Sequence, residues 1–181
     1  ARRPSMLPGR GIGPRAGDAA VSGAGSGGSG GGAVTEAIRV RLAEDNERFQ
    51  KRAGQLVEQY SAISPLPGAN VNGQFTLGEN IGDLSGLAVA YKAYRLSLAD
   101  RTAPVLDGFS GDQRFYIGWA QVWARKYRDD ELRKRLLTDP HSPSEYRCNG
   151  IARNMPQFAQ AFGVKPGDQL YLPPEKVVRI W

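Results

Sequence analysis

The sequence predicts a mainly α-helical domain behind a disordered, glycine-rich tail. Three observations carry this: apolar residues recur at helical spacing over residues 44–63 and 79–98, a capping pair opens an apolar run after Ser110, and the first 32 residues hold almost nothing to bury. Of the 23 glycines, 11 lie in residues 1–32, with four arginines and a single acid, Asp18. The run from Ser22 to Gly32 has the composition of a flexible linker. Residues 33–181 then read as one folded domain, long enough to bury about two thirds of its surface.

Within that domain, Phe49, Ala53, Leu56, Val57, Tyr60 and Ile63 recur on one helical face, and Pro65 and Pro67 end the pattern. Asn72-Gly73 marks a turn between short extended pieces that leads into a second helix from Glu79 to about Leu98. Gly82, Ser85 and Gly86 leave little bulk there, which predicts that a neighbouring helix crosses closely, since helical glycine costs about 1 kcal/mol against alanine. Ser110 and Gln113 fit a capping box for a helix through Phe115, Tyr116, Ile117, Trp119, Val122 and Trp123. That helix is apolar nearly all round, so it should be central, with both tryptophans in the core. A short charged helix follows over residues 129–137. Residues 138–143 form a loop in which Pro140 and Pro143 brace His141. Asn154 and Gln157 make a further capping pair for a helix ending near Gly163, and residues 177–181 finish as an extended apolar end.

Charge and composition exclude several functions. The net charge is +6, with 24 basic and 18 acidic residues, but beyond the tail the balance is 20 against 17. Those charges mix in sign, as in residues 44–48 and 125–130, which is the pattern of solvated helix faces and not of a phosphate-binding patch. No nucleic-acid partner is expected. No apolar stretch approaches the roughly 18 to 20 residues that span a bilayer, and no secretion signal is legible. Cys148, the single cysteine, cannot form an internal disulfide and reads as a buried, inert thiol.

The most informative segment is Thr76 to Asp83. Glu79 and Asp83 lie four apart, on one face of a helix and one turn from each other. Such a pair suits a metal site in which one carboxylate is a zinc ligand and the other orients a histidine ligand. Acids that favour a helix N-terminus are the alternative. Carboxylate-containing catalytic zinc sites commonly use two histidines, and this chain has only His141, so the site reads as incomplete.

Gly78-Glu-Asn-Ile-Gly-Asp-Leu-Ser-Gly-Leu87, then Asp139-Pro-His-Ser-Pro-Ser-Glu-Tyr-Arg147, then Val178-Arg-Ile-Trp181 resemble, in order and spacing, the C-terminal part of the neprilysin family of zinc metalloendopeptidases. The resemblance runs from about Ala43 to Trp181. It implies the C-terminal helical subdomain of a thermolysin-like metallopeptidase, with zinc as cofactor and peptides as substrates, in an extracytoplasmic setting, periplasmic or secreted. It also implies that Glu79 is the third zinc ligand and that Asp83 orients a ligand histidine. By the same resemblance His141 donates a hydrogen bond to the oxyanion, and Arg147 holds a peptide carbonyl of the substrate. Zinc lowers the pKa of a bound water to about 7, and a donor at the developing oxyanion stabilises the transition state.

The family's H-E-x-x-H helix and its helical lid have no counterpart in this sequence. The chain is therefore expected to hold one of three protein zinc ligands and to be inactive alone, a fragment of a larger hydrolase. The missing half should leave an apolar face exposed, through which the chain would self-associate. The rival readings are an inert fragment or pseudoenzyme acting as a binding module and, behind it, a basic-tailed adaptor.

Overall fold

The computed structural model describes residues 30–180, with side chains from residue 34 onward. Residues 1–29, which hold most of the tail expected to be disordered, and Trp181 lie outside the described residues. The last three glycines of that tail begin α1, Gly30–Ser61. The contacts divide the chain between Ile38 and Arg39. In the first unit, Val34 and Ile38 are exposed on the opening turns of α1. The second unit holds the rest of α1 and all the later elements.

Five more helices succeed α1: α2 (Leu77–Leu98), α3 (Gly111–Val122), α4 (Asp129–Thr138), α5 (Ser144–Ala152) and α6 (Pro156–Phe162), with a 3₁₀ turn at Pro174–Lys176. Extended pairing among the described residues is confined to two isolated bridges, Leu66 with Ala69 and Leu106 with Phe109. The chain is thus mainly α, as its periodicity predicts. Ser110 caps α3 as expected: its hydroxyl accepts from the Gln113 backbone at 3.2 Å, and the Gln113 side chain accepts from the Ser110 N–H at 2.9 Å. The Asn72-Gly73 turn forms without flanking strands. Asn72 Oδ1 accepts from Phe75 N at 2.9 Å and steers the chain directly into α2.

One helix is added to the expected set, and two local expectations are corrected by the packing. α5 carries no strong periodic signal, and the prolines before it read as loop; it forms because it packs on α2 and α3 and buries Ser144, Gly150, Ile151 and Ala152. Asn154 does not cap α6, whose N-cap is Met155 with no side-chain hydrogen bond. It is buried as a hub instead: Asn154 Nδ2 donates to Gln59 Oε1 (2.7 Å) and Gly150 O (2.9 Å), and Asn154 Oδ1 accepts from Val178 N (2.8 Å). Nor, among the described residues, does a helix press on the glycines of α2, because a Cβ on Gly82 or Gly86 would meet nothing within 4 Å.

The core joins Leu56 and Tyr60 of α1 to Val71, to Leu84 and Leu87 of α2, to Tyr116 of α3, and to Ile151, Met155, Val178 and Ile180. The extended end is apolar as expected over residues 177–180, and Arg52 holds it by donating to Ile180 O at 3.0 Å. Tyr60 is fully buried and donates to Tyr146 O at 3.1 Å, and burial pushes its phenol well above the usual range. The close fit requires glycine at 150, where a Cβ would lie 2.7 Å from Tyr60 Oη. α3 is less central than its composition suggests: Tyr116 is buried, but Val122 is 70% exposed. Val89 and Leu96 of α2 are exposed too.

Removing the amide of Asn154 leaves Val178 N–H and Gln59 without their buried partner, which costs about 1–3 kcal/mol per unsatisfied group. Asn154→Ala should therefore lower the denaturant midpoint at an unchanged slope. A loss below about 0.5 kcal/mol, the scatter expected of surface changes, would contradict the hub.

Candidate active site

A run of polar contacts sets the first turn of α2 against the loop that bears His141. Thr76 Oγ1 donates to Asn72 O at 3.0 Å, Asn80 Nδ2 donates to Thr76 Oγ1 at 3.0 Å, and Ser142 Oγ donates to Asn80 Oδ1 at 2.9 Å. Thr76, Asn80 and Ser142 are all buried, so these bonds are expensive to break. They fix residues 79 and 141, the exposed neighbours of Asn80 and Ser142, on the same side of the molecule.

The four residues singled out in the sequence come together there. His141 Nε2 lies 3.1 Å from Glu79 Oε2, and His141 Nδ1 lies 2.7 Å from Asp139 Oδ1. Arg147 clamps Asp83 with two bonds, Nε to Oδ2 at 2.6 Å and a terminal nitrogen to Oδ1 at 2.8 Å, and sits 3.9 Å from Glu79. Glu79 and His141 are half-exposed, at 45% and 42%, whereas Asp83 and Arg147 are 12% and 17%. The buried pair therefore forms the floor and the exposed pair the rim. Each Asp83 oxygen accepts one bond from Arg147, which leaves each a further acceptor site, and the chain's one histidine faces Glu79 and Asp139 instead.

The electrostatics arise from these contacts. Hydrogen bonding to Asp83 raises the Arg147 guanidinium above its ordinary value, against a smaller opposing effect of burial. Burial pushes Asp139 upward, but the His141 backbone N–H, the His141 ring and Arg135 outweigh it and hold the carboxyl below the usual range. Arg135 bridges Glu131 at 2.9 Å and Asp139 at 2.7 Å, so the loop is tied back to α4. Cys148 is half-buried where the sequence reading has it buried, and burial raises its thiol above the ordinary value.

These residues do not fit a zinc centre by themselves. Glu79 offers one carboxylate, the only imidazole has both nitrogens against carboxylates, and no group of three His, Cys, Asp or Glu side chains among the described residues could hold a metal. What the arrangement provides is an oriented donor, His141, beside an immobilised guanidinium.

Two contributors escaped the sequence reading. Trp123, assigned there to the core, is only partly buried and lies under Arg147, with the guanidinium carbon 4.2 Å from its ring. Its position at the end of a short helix is the signal that would have separated it from Trp119, which packs on the core. Asn80 stands between the two acids in the Gly78–Leu87 motif, and an amide there is legible as a buried tether only once Ser142 is known to face it.

The model of peptidase family M13 matches residues 31–178. Endothelin-converting enzyme 1 of Homo sapiens is 40% identical over 139 residues, which cover 75% of this chain and 18% of that enzyme. Neprilysin-3 of Drosophila melanogaster is 37% identical over 139 residues, covering 75% of this chain and 17% of that protein. Among solved structures, the zinc metalloprotease ZMP1 of Mycobacterium tuberculosis, crystallised with an inhibitor, matches with a TM-score of 0.72 at 52% identity. That match covers 74% of this chain and 21% of the other. The chain thus spans less than a fifth of the length of these curated relatives.

Because its folded value is depressed, Asp139 contributes stability that is present above the unfolded pKa of about 3.9 and lost as pH falls through the folded value. Asp139→Asn should therefore be less stable than the parent near pH 7, with the gap closing below about pH 4. Denaturant midpoints measured across that range check this, and a gap independent of pH contradicts it.

Proposed function

Because the chain belongs to peptidase family M13, we propose that it supplies the C-terminal share of a zinc metalloendopeptidase site. In this reading Glu79 is one ligand to zinc, and Asp83, held by Arg147, orients a histidine ligand that a further segment supplies. His141 is the donor to the oxyanion of the attacked peptide, and Arg147 the group that holds a peptide carbonyl. The observation that supports it most is the meeting of Glu79, Asp83, His141 and Arg147 in one site from segments some 60 residues apart in sequence, bidentate pair included. A surface acid pair at a helix start would have no reason to be met by the only histidine of the chain.

The chain's own residues then have definite tasks. Asp139, held ionised by its neighbours, fixes the His141 ring through Nδ1, which leaves Nε2 as the nitrogen that faces the site. Asp83 and Trp123 immobilise the Arg147 guanidinium before substrate arrives, so its ordering is not charged to binding. Zinc belongs to the reading only as a group that Glu79 would help to hold. Two further ligands must come from a segment beyond these residues, and without it the chain neither retains zinc nor hydrolyses peptides. No helix among the described residues is long and apolar enough to cross a membrane. An extracytoplasmic setting rests on the family resemblance, and self-association would use exposed apolar side chains such as Val89 and Leu96 of α2.

The purified chain is expected to contain no stoichiometric zinc and to leave peptides intact. Combined with the remaining portion of an M13 relative, it should acquire both metal and turnover. In that complex Glu79→Gln should lose zinc, and His141→Ala should lower kcat by about 10²–10³ with zinc retained. Stoichiometric zinc with turnover in the chain alone would overturn its dependence on a second segment. A complex that binds zinc yet tolerates His141→Ala would remove the histidine's role, and one with neither metal nor activity would favour an inert binding module.

A further inference from the structure

A cavity of about 150 Å³ opens beside His141, walled by Trp123, Arg125, Tyr127, Arg135, Ser144 and Arg147, with Asp139 as its one carboxylate. Its lining has more hydrogen-bond donors than acceptors. Arg147 is matched by Asp83, and Arg135 by Glu131 and Asp139. Arg125, the third arginine, has no carboxylate partner among the described residues; it lies against Tyr127, 6.0 Å from the ring centroid. Tyr127 Oη and Ser144 Oγ are 2.7 Å apart. One proton of the two hydroxyls serves that bond, so the other remains to be donated outward. The Trp123 indole N–H is buried without an acceptor.

Unmatched donors of this kind call for a group that only accepts, and a planar guanidinium favours one with two oxygens. Asp83, Glu131 and Asp139 equal the three arginines in number but are spent on two of them, so Arg125 is the cation left without a carboxylate while the site as a whole has no net positive charge, which disfavours a dianion. The volume equals about five waters of liquid, enough for a carboxylate on a short stem. We propose that this cavity is a carboxylate subsite, built on Arg125, Tyr127 and Ser144, that receives an acidic group of a bound peptide next to the position held by His141 and Arg147. The environment of Tyr127 agrees: burial raises its hydroxyl, but Ser144 and Arg125 hold it below its ordinary value.

The carboxylate has two sources, an aspartate or glutamate side chain or a free peptide C-terminus. Calling it part of a peptide rests on the peptidase reading above; the binding itself does not. The test is a chemical-shift titration of the isotope-labelled chain with N-acetylglutamate amide, N-acetylalanine, and neutral N-acetylglutamine amide. At least one carboxylate probe should bind at least tenfold more tightly than the neutral probe and shift the Trp123 indole resonance. Arg125→Gln should bring its affinity down to that of the neutral probe, and Arg125→Lys should restore part of it. Because Arg125 is exposed, both variants should keep the dispersed spectrum of the folded chain. Tighter binding of the glutamate probe assigns the subsite to acidic side chains, and tighter binding of N-acetylalanine assigns it to chain ends.

Equal affinity for the acid and the neutral amide, or unchanged acid binding in Arg125→Gln, overturns the proposal. None of the probes needs zinc or hydrolysis, so failure of the peptidase reading leaves this binding intact. Failure here, in turn, leaves turnover of the completed enzyme intact.

Discussion

The two-pronged bond between Arg147 and Asp83 is the contact on which the rest of the site depends, because it fastens α5 to α2 at a place where both side chains have lost most of their water. Such a pair gains little net stability over an apolar replacement, since desolvation offsets most of the attraction; loss of one partner, however, strands a charge at a cost of about 3–5 kcal/mol. Its contribution is therefore positional. With α5 locked in register, the loop ahead of it carries His141 to Glu79, and Ser142 meets Asn80 below them. Trp123 closes the other side of the guanidinium, so Arg147 is held by charge on one face and by an aromatic ring on another.

This site differs from a complete metal centre in its imidazoles. The one histidine of the chain, His141, stands between Glu79 and Asp139, whereas the Asp83 oxygens each keep an acceptor site beside the bond from Arg147. Glu79 has its charge met by His141 and, at longer range, by Arg147. A strong cation would have to draw Glu79 away from these partners. Glu79 is thus already engaged within the chain, which is the physical reason that it is a poor metal site without further imidazole ligands.

Helices were legible in the sequence where burial is one-sided and long. α1 follows its apolar stripe from Ala53 through Leu56 to Tyr60, and the capping box at Ser110 forms as expected. The site residues were legible because the acids stand one helical turn apart and the histidine is unique, although their roles come from the family resemblance. What could not be read depends on partners distant in sequence. Asn154 resembles a helix cap locally, yet its amide is claimed by Gln59 and Val178, 95 and 24 residues away. α5 has too few apolar residues to declare itself and is held by packing on α2 and α3. The glycines of α2 suggest a close crossing, but within the described residues the space over them is empty.

A double-mutant cycle on Asp83→Ala and Arg147→Ala, read from equilibrium unfolding of the chain, tests the central claim most directly. If this contact fastens the two helices, the effects of the single changes should fail to add by at least about 1 kcal/mol, the double mutant being less damaged than their sum. Additivity within about 0.3 kcal/mol would mean that the two side chains do not act together, and the account of the site built on them would fall.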